Sequence, residues 1–368
     1  MGYKSVRAVG AVFLAALWLG LAGFAWLRPA DEISGPERRK LAQMPEVSAG
    51  SILSGSFMDG FESYTQDQFP LRDSFRTLKS VFHLYALNRQ DNNGIYLADG
   101  YAAKLEYPLN TASVDHALSV FETIYDTYLA GNGCTVFSAI VPDKGYYLAP
   151  EHGYPVMDYG ALEEILRDGM PYASYVNLFD SLTLEDYYRT DTHWRQERLL
   201  GTASVLCRAM GVTAPRAEDY TAVAADREFY GVYYGQAALP MEPDTLYTLQ
   251  SGVLSRCTAY QGVSGETGSV YDESKLSGRD MYDVFLSGAV SVVTVENPDA
   301  QTDRELVVFR DSFASAIAPL LVQGYKTVTL VDVRYISTSQ LGAYADFAGK
   351  DVLFLYSTLV LNNSTALK

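Results

Sequence analysis

Three residues of this chain, Asp191, His193 and Ser312, could form a nucleophilic relay. Asp191 and His193 are two residues apart, and Ser312 follows far downstream, just after an apolar run at residues 305–309. In extended backbone, residues i and i+2 point to the same side, so this pair can cooperate only in a strand or loop. Such a pair can activate a serine hydroxyl for acyl transfer.

The residues around Ser312 predict a turn between a strand and a helix. Residues 305–309 are typical of a short buried strand, and apolar residues recur at helical spacing from Ala314 onward. A serine at such a turn lies at the carboxyl edge of the sheet, where open α/β sheets bind ligands. The backbone N–H of Phe313, at the helix start, could face a developing oxyanion.

Each stretch taken alone also has a purely structural interpretation. Asp191 or Thr192 could cap the helix that follows, with His193 packed at the surface. Asp311 or Ser312 could cap the second helix in the same way. The occurrence of both stretches in one chain favours the relay.

An ordered set of motifs from about residue 35 to the C-terminus resembles the DHHW family, which is similar to the alginate O-acetyltransferase-like branch of the SGNH hydrolase superfamily. The motifs are GFESY (60–64), DQFPLRD (67–73), NGIYL (93–97), PDK (142–144), DTHW (191–194), YDVFLSG (282–288), RDSF (310–313) and VDVRY (331–335). The resemblance implies an extracytoplasmic acyl hydrolase or acyltransferase. It also implies an SGNH-hydrolase-like three-layer α/β/α domain with a mainly parallel sheet, and it puts Ser312, His193 and Asp191 in the triad positions.

The chain departs from the family pattern on the substrate side of this site. Thr192 stands where the family name suggests His, Ala289 follows Gly288 where an Asn is expected, and Ser315 replaces another Asn. We expect the oxyanion and substrate contacts among Phe313, Lys144, Gly288, Ser315 and Trp194. Lys144 follows a predicted strand and could reach a carboxylate or a sugar hydroxyl. The alternatives for it are a solvated loop lysine and a partner of Asp143.

The N-terminal residues predict a membrane anchor. Residues 8–27 contain no charge, and at about 1.5 Å per residue they span roughly 30 Å, the thickness of a bilayer's hydrocarbon core. Lys4 and Arg7 precede them, which favours a cytoplasmic N-terminus and a single-pass protein of the bacterial cell membrane. The alternatives are a cleaved signal peptide and a buried core helix, against which the absence of a polar face argues.

Composition and charge limit the number of domains and the kinds of partner that the chain can have. A length of 368 residues with 48% hydrophobic residues allows a full core in one large domain or two. The net charge is −16, and residues 1–40 hold six basic and three acidic side chains, so the remainder carries −19. So acidic a body would repel phosphate backbones, which argues against nucleic acid as a partner.

We therefore predict an anchor at 1–28, a stalk rich in Pro, Glu, Ser and Gly at 29–55, and an extracytoplasmic domain at 56–368. A Tyr-rich insertion of short strands and loops at about 212–280 is expected to cover the cleft. The sheet should contain strands at 134–141, 175–182, 327–333 and 351–356, with helices at 113–129, 160–167 and 339–347. Three scattered cysteines and four histidines without ligand spacing predict no disulfide framework, no metal site and no cofactor.

Three functional hypotheses follow. The first is a serine-dependent enzyme that passes an acyl group, preferably acetyl, to water or to a hydroxyl of a cell-surface glycan, with a membrane protein as a possible acyl donor. The second is a non-catalytic carbohydrate-binding or scaffold protein of a surface polysaccharide system. The third, with least support, is a structural envelope protein without a ligand.

Overall fold

The structure is a computed structural model that describes residues 3–368, with side chains from Arg7 onward. Met1 and Gly2 of the predicted cytoplasmic tail, and the side chain of Lys4, lie outside the described residues. The described residues form two compact units, one of residues up to 92 with 235–240 and one of residues 93–234 with 241–368. We call them the N-terminal unit and the sheet unit.

The N-terminal unit begins with a long exposed helix. Its segment Arg7–Leu27 is long and apolar enough to cross a membrane, a property that a signal sequence shares. The predicted stalk contains a two-stranded hairpin whose Arg39 binds the Asp67 carboxylate. The elements are α1 (Tyr3–Leu27), β1 (Ile33–Ser34), β2 (Arg39–Lys40), α2 (Ala49–Leu53), α3 (Ser56–Asp67) and α4 (Arg72–Val81), which a π-helical turn continues through Phe82–Ala86.

The remaining helices and strands alternate for much of the chain. The strands are β3 (Ile95–Ala98), β4 (Tyr101–Lys104), β5 (Thr135–Val141), β6 (Ser174–Tyr175), β7 (Thr221–Phe229), β8 (Asp244–Gln250), β9 (Thr258–Gln261), β10 (Thr267–Gly268), β11 (Val292–Glu296), β12 (Glu305–Arg310), β13 (Thr327–Val331) and β14 (Asp351–Ser357). The helices are α5 (Thr111–Ile124), α6 (Lys144–His152), α7 (Tyr159–Gly169), α8 (Leu200–Ala209), α9 (Val232–Ala237), α10 (Ala314–Leu321) and α11 (Thr358–Leu361).

An eight-stranded sheet in the order β10-β9-β11-β13-β12-β14-β5-β6 forms the centre of the sheet unit. The strands from β13 to β6 run parallel, and β11, β9 and β10 extend the sheet with antiparallel pairs. The inner strands are apolar and buried along nearly their whole length, as a sheet covered on both faces requires.

Alternate residues of the same strands enter two separate cores. Leu306 and Val308 of β12 pack in the core that includes α8 and α10. Val307 and Phe309 pack in the core that includes α5 and α7. The predicted three-layer α/β/α architecture with a mainly parallel sheet is confirmed.

Two predicted elements are wrong. The strand expected at 175–182 ends at Tyr175, because the Asn177 side chain accepts the Phe179 N–H at 2.8 Å and starts a 3₁₀ turn. The helix expected at 339–347 is a short 3₁₀ segment, Thr338–Ala343. In the predicted range 339–347, the buried apolar residues Leu341 and Phe347 are six positions apart, which is not the spacing of one helical face.

The Tyr-rich insertion belongs in part to the main sheet. β7 and β8 form a separate two-stranded ribbon, whereas β9 pairs with β11 at the antiparallel edge. The sequence pattern indicated short strands here but not the sheet that they join.

Candidate active site

Ser312 lies in the tight turn between β12 and α10. The preceding Asp311 is fully buried, and its two carboxylate oxygens accept the N–H groups of Phe313 at 3.0 Å and Ser357 at 2.7 Å. Since Ser357 ends the neighbouring strand β14, Asp311 fixes this turn to the edge of the sheet. Ser312 itself is half-buried.

Asp191 and His193 lie in a loop closed by backbone pairing. Tyr187 and Trp194 form an antiparallel bridge, and the Tyr188 N–H donates to the His193 carbonyl at 3.1 Å. The loop is not helical, so the side chains of residues 191 and 193 can meet.

The two segments meet through a chain of hydrogen bonds. His193 Nδ1 lies 2.6 Å from Asp191 Oδ1, and His193 Nε2 lies 2.8 Å from Ser312 Oγ. Asp191 Oδ1 also accepts the His193 backbone N–H at 3.0 Å, while Oδ2 accepts the Val232 N–H at 2.7 Å. The carboxylate is fully buried and holds the imidazole with one nitrogen directed at the serine.

Aromatic rings fix the plane of the imidazole. The Tyr282 ring stacks on it with centroids 3.9 Å apart and planes 9° apart, and the Phe313 ring lies at 5.0 Å. The Trp194 indole N–H donates to the Phe313 carbonyl at 2.9 Å, which ties the histidine loop to the serine turn.

Close contacts with Asp244 and Gly231 support the loop that holds Asp191. The Thr190 backbone N–H and hydroxyl both donate to the Asp244 carboxylate, and the Gly231 N–H donates to the Thr190 hydroxyl at 2.9 Å. A Cβ on Gly231 would lie 2.2 Å from the Asp191 Cβ. Only glycine fits here without displacing the aspartate.

A family model described as DHHW protein matches residues 174–331, an interval that holds Asp191, His193 and Ser312. The resemblance to the DHHW family is confirmed. A DHHW family protein from Eubacterium siraeum DSM 15702 has a similar structure, 20% identical over 75% of this chain and 94% of that chain, with a TM-score of 0.61. Bacillus cereus PatB1 with a sulfonyl adduct is 17% identical over 73% of this chain and 95% of that chain, with a TM-score of 0.55. A search of curated proteins returned no match.

The position equivalent to the second histidine of the DHHW name has a structural contact in this chain. The Tyr233 hydroxyl donates to Thr192 Oγ1 at 3.0 Å. Tyr233 is buried, so this bond anchors the loop between Asp191 and His193 to the protein interior.

Lys144 is not a solvated loop lysine, because the structure places it in the interior. It is the first residue of α6, 2% exposed, and its Nζ donates to the carbonyls of Tyr188 at 2.8 Å and Arg189 at 3.3 Å. The Tyr233 ring lies 5.1 Å from the same ammonium. Burial lowers the pKa of Lys144 to about 7, and nearby carboxylates, Asp191 first, offset part of that effect. Lys144 therefore supports the histidine loop from inside.

Trp194 and Ser315 are also structural. Trp194 is fully buried, so its indole cannot stack on a sugar. Ser315 is 2% exposed, and its hydroxyl accepts a hydrogen bond from Arg310 Nη1 at 2.9 Å. Neither side chain reaches the surface of the protein.

Two predicted oxyanion donors are already occupied. The Phe313 N–H donates to Asp311, and the Gly288 N–H donates to the Phe285 carbonyl at 3.2 Å. In residues 3–368, the Ser312 N–H has no such acceptor. Of the backbone N–H groups of Gly288, Ser312 and Phe313, that of Ser312 is therefore the one left open to a substrate oxygen.

Sequence reasoning missed Arg310 and Tyr282. The buried Arg310 donates to the carbonyls of Gly288 at 3.4 Å and Val290 at 3.0 Å, and so fixes the loop that follows the YDVFLSG motif. Both residues stand within motifs that the sequence singled out, and these motifs were the only signal that could have pointed to them. Their contacts in the structure join segments that are distant in the sequence, so no local pattern reveals them. Among residues 3–368, no three His, Cys, Asp or Glu side chains are grouped to hold a metal.

Proposed function

We propose that this chain is a membrane-anchored serine acyltransferase or esterase of the cell envelope that acts on a cell-surface polysaccharide. The observation that carries the proposal is the hydrogen-bonded chain from Asp191 through His193 to Ser312, with contacts of 2.6 Å and 2.8 Å. Both distances are within the reach that general-base activation of a nucleophile requires.

In the first half of the reaction, Ser312 Oγ attacks the carbonyl carbon of an acyl donor while His193 Nε2 takes the hydroxyl proton. Asp191 holds the Nδ1–H tautomer and stabilises the imidazolium that forms. The tetrahedral intermediate then expels its alcohol, which receives the proton from His193, and the acyl group remains on Ser312. The Ser312 N–H is the donor available to the oxyanion.

In the second half, water or a glycan hydroxyl attacks the acyl-serine. His193 takes the proton of the attacking oxygen and returns it to Ser312 Oγ as the acyl–serine bond breaks. Attack by water makes the chain an esterase, and attack by a glycan makes it a transferase. Acetyl is the group that the family resemblance indicates.

The proposal also includes the cellular location of this reaction and its acyl donor. α1 anchors the chain with its N-terminus in the cytoplasm, so the sheet unit lies outside the cell, where surface glycans occur. A membrane protein that carries the acyl group is the proposed donor for transfer. The anchor's length and composition support this location.

A sulfonyl fluoride tests the nucleophile directly. A sulfonyl adduct is described for PatB1, whose fold this chain shares. We expect phenylmethylsulfonyl fluoride to add one sulfonyl group to the full chain in detergent, with loss of fluoride, and we expect Ser312→Ala to remain unmodified by intact mass. Ser339→Ala, at an exposed serine, is the control and should label normally.

Substrate turnover completes the test. The native chain should release acetate from acetyl esters, and Ser312→Ala should lose this activity. Labelling of Ser312→Ala, or acetate release by it at the native rate, would contradict the proposal. A native chain that neither labels nor turns over but binds glycan would instead be the scaffold protein, which the occupied Phe313 and Gly288 N–H groups favour.

A further inference from the structure

Helix α4 and its π-helical turn carry an exposed apolar face. Five large side chains recur at spacings of four, three, four and three residues, which places them on one side of the helix. We call them the outer stripe: Leu71, Phe75, Leu78, Phe82 and Tyr85, with exposures of 65%, 45%, 62%, 53% and 73%.

The opposite side of the same helix is polar and faces inward. Arg72 and Arg76 pair with the Glu37 carboxylate, and Arg76 also donates to the Gly235 carbonyl at 2.7 Å. Ser80 is fully buried and accepts a hydrogen bond from Asn92 at 2.7 Å. This order is the reverse of that in a surface helix of a soluble protein, which turns its apolar face to the core.

The outer stripe is continuous with the apolar surface of α1. The Trp18 ring lies 6.1 Å from the Phe69 ring, and Phe69 lies 5.4 Å from Phe75 of the stripe. Trp18 is nine residues before Leu27, or about 13 Å along the helix axis. Within the span Arg7–Leu27, this contact therefore falls close to the middle.

The charges beside the stripe suit a lipid surface. Residues 72–89 contain four basic residues and one acidic residue in a chain of net charge −16. Arg72 and Arg76 pair with the carboxylates of Glu37 and Asp73, but Lys79 and Arg89 are exposed. Lysine and arginine at the edge of an apolar helical face favour binding to anionic headgroups.

We propose that helix α4 lies on the outer surface of the membrane, with the outer stripe inserted at the boundary between headgroups and acyl chains. The inference goes beyond the proposed chemistry but rests on the anchoring of α1. α1 and α4 together hold the N-terminal unit against the bilayer at two places, one that crosses it and one that lies in its surface.

Nitroxide labels on the full chain in vesicles of phosphatidylcholine and phosphatidylglycerol test this placement. Single cysteines replace Leu78 and Phe82 in the stripe, Leu14 in α1 and Arg208 in the sheet unit, with the labelled native chain as the background for Cys134, Cys207 and Cys257. Oxygen concentrates in lipid, whereas a nickel chelate stays in water. We expect labels at 78, 82 and 14 to be relaxed more by oxygen, and the label at 208 more by nickel.

The outcomes test the membrane anchor α1 and the surface placement of α4 separately. If position 14 contacts lipid but 78 and 82 behave like 208, the anchor stands and the surface helix is wrong. If position 14 is also in water, both are wrong. Spin–spin broadening at 78 that disappears on dilution with unlabelled chain would show that a second copy covers the stripe, which also overturns the inference.

Discussion

Tyr282 contacts the imidazole of His193 across its whole face, and its hydroxyl is buried without a hydrogen-bond partner among residues 3–368. Burial, together with nearby Tyr188 and Asp191, raises the pKa of this phenol well above its ordinary value. The ring, rather than the hydroxyl, is therefore the useful part of the side chain. A parallel ring favours one orientation of the imidazole and attracts the imidazolium that forms during proton transfer.

Substitutions at Tyr282 separate the ring from the hydroxyl. Tyr282→Phe should keep kcat/KM within about twofold and should not lower the free energy of unfolding, since it removes an unpaired buried polar group. Tyr282→Leu should lower kcat/KM about 10-fold because the imidazole gains rotational freedom. Steady-state acetyl-ester hydrolysis and urea unfolding measure the two effects. Equal losses of activity in both variants would mean that the hydroxyl matters.

Gly231 is a second residue whose identity the site requires. Gly231→Ala should displace Asp191, because the new Cβ would lie 2.2 Å from the Asp191 Cβ, and kcat/KM should fall about 100-fold. Gly201→Ala in α8 is the matched control, since no atom lies within 4 Å of its Cβ and alanine favours a helix. An active Gly231→Ala enzyme would show that the loop can move without losing its alignment.

At the scale of elements, α6 supports the histidine loop through the buried Lys144. The folded-state pKa is about 7 and the ordinary value is 10.5, so the unfolded chain binds more protons between these two pH values. Stability therefore rises with pH across this window as the buried ammonium loses its proton. The charged groups acting on Lys144 are Asp191, Asp244 and Asp143.

Lys144→Met should remove this pH dependence. We expect the free energy of unfolding of the native chain, minus that of the variant, to grow by about 3 kcal/mol between about pH 7 and about pH 9.5. Urea titrations followed by tryptophan fluorescence measure it, and the exposed Lys326→Met should show no such trend. A difference that stays constant with pH would mean that Lys144 keeps its proton throughout.

Some helices and strands could be predicted from the local sequence pattern, whereas others depend on contacts between distant residues. Strands β5, β12 and β14 are mostly apolar, so the local sequence pattern was sufficient to find them. The 3₁₀ turn after Tyr175 depends on the Asn177 side chain, and the pairing of β9 with β11 depends on residues more than thirty positions apart. In the site, motifs alone singled out Ser312, His193 and Asp191, whose side chains the structure joins by hydrogen bonds. The roles of Lys144, Arg310 and Tyr282 depend on long-range contacts that no local pattern contains.

At the scale of the whole molecule, the acidic charge should affect which acyl esters reach Ser312. The net charge is −16, and residues after 40 carry −19 because residues 1–40 hold an excess of three basic side chains. A field of this sign raises the local concentration of cationic substrates and lowers that of anionic ones, and salt screens it. The chain should therefore prefer neutral acetylated glycans to acetylated polyuronates.

A matched pair of small esters measures this preference without the geometry of a polymer. We expect kcat/KM for phenyl acetate to exceed that for its anionic carboxyphenyl analogue, and the ratio of the two to shrink as NaCl rises from about 0.02 M to about 0.5 M, where the Debye length falls from roughly 20 Å to about 4 Å. The neutral ester alone should change little and serves as the internal control. If the ratio does not depend on salt, selectivity arises from contacts at the site and not from the charge of the molecule as a whole.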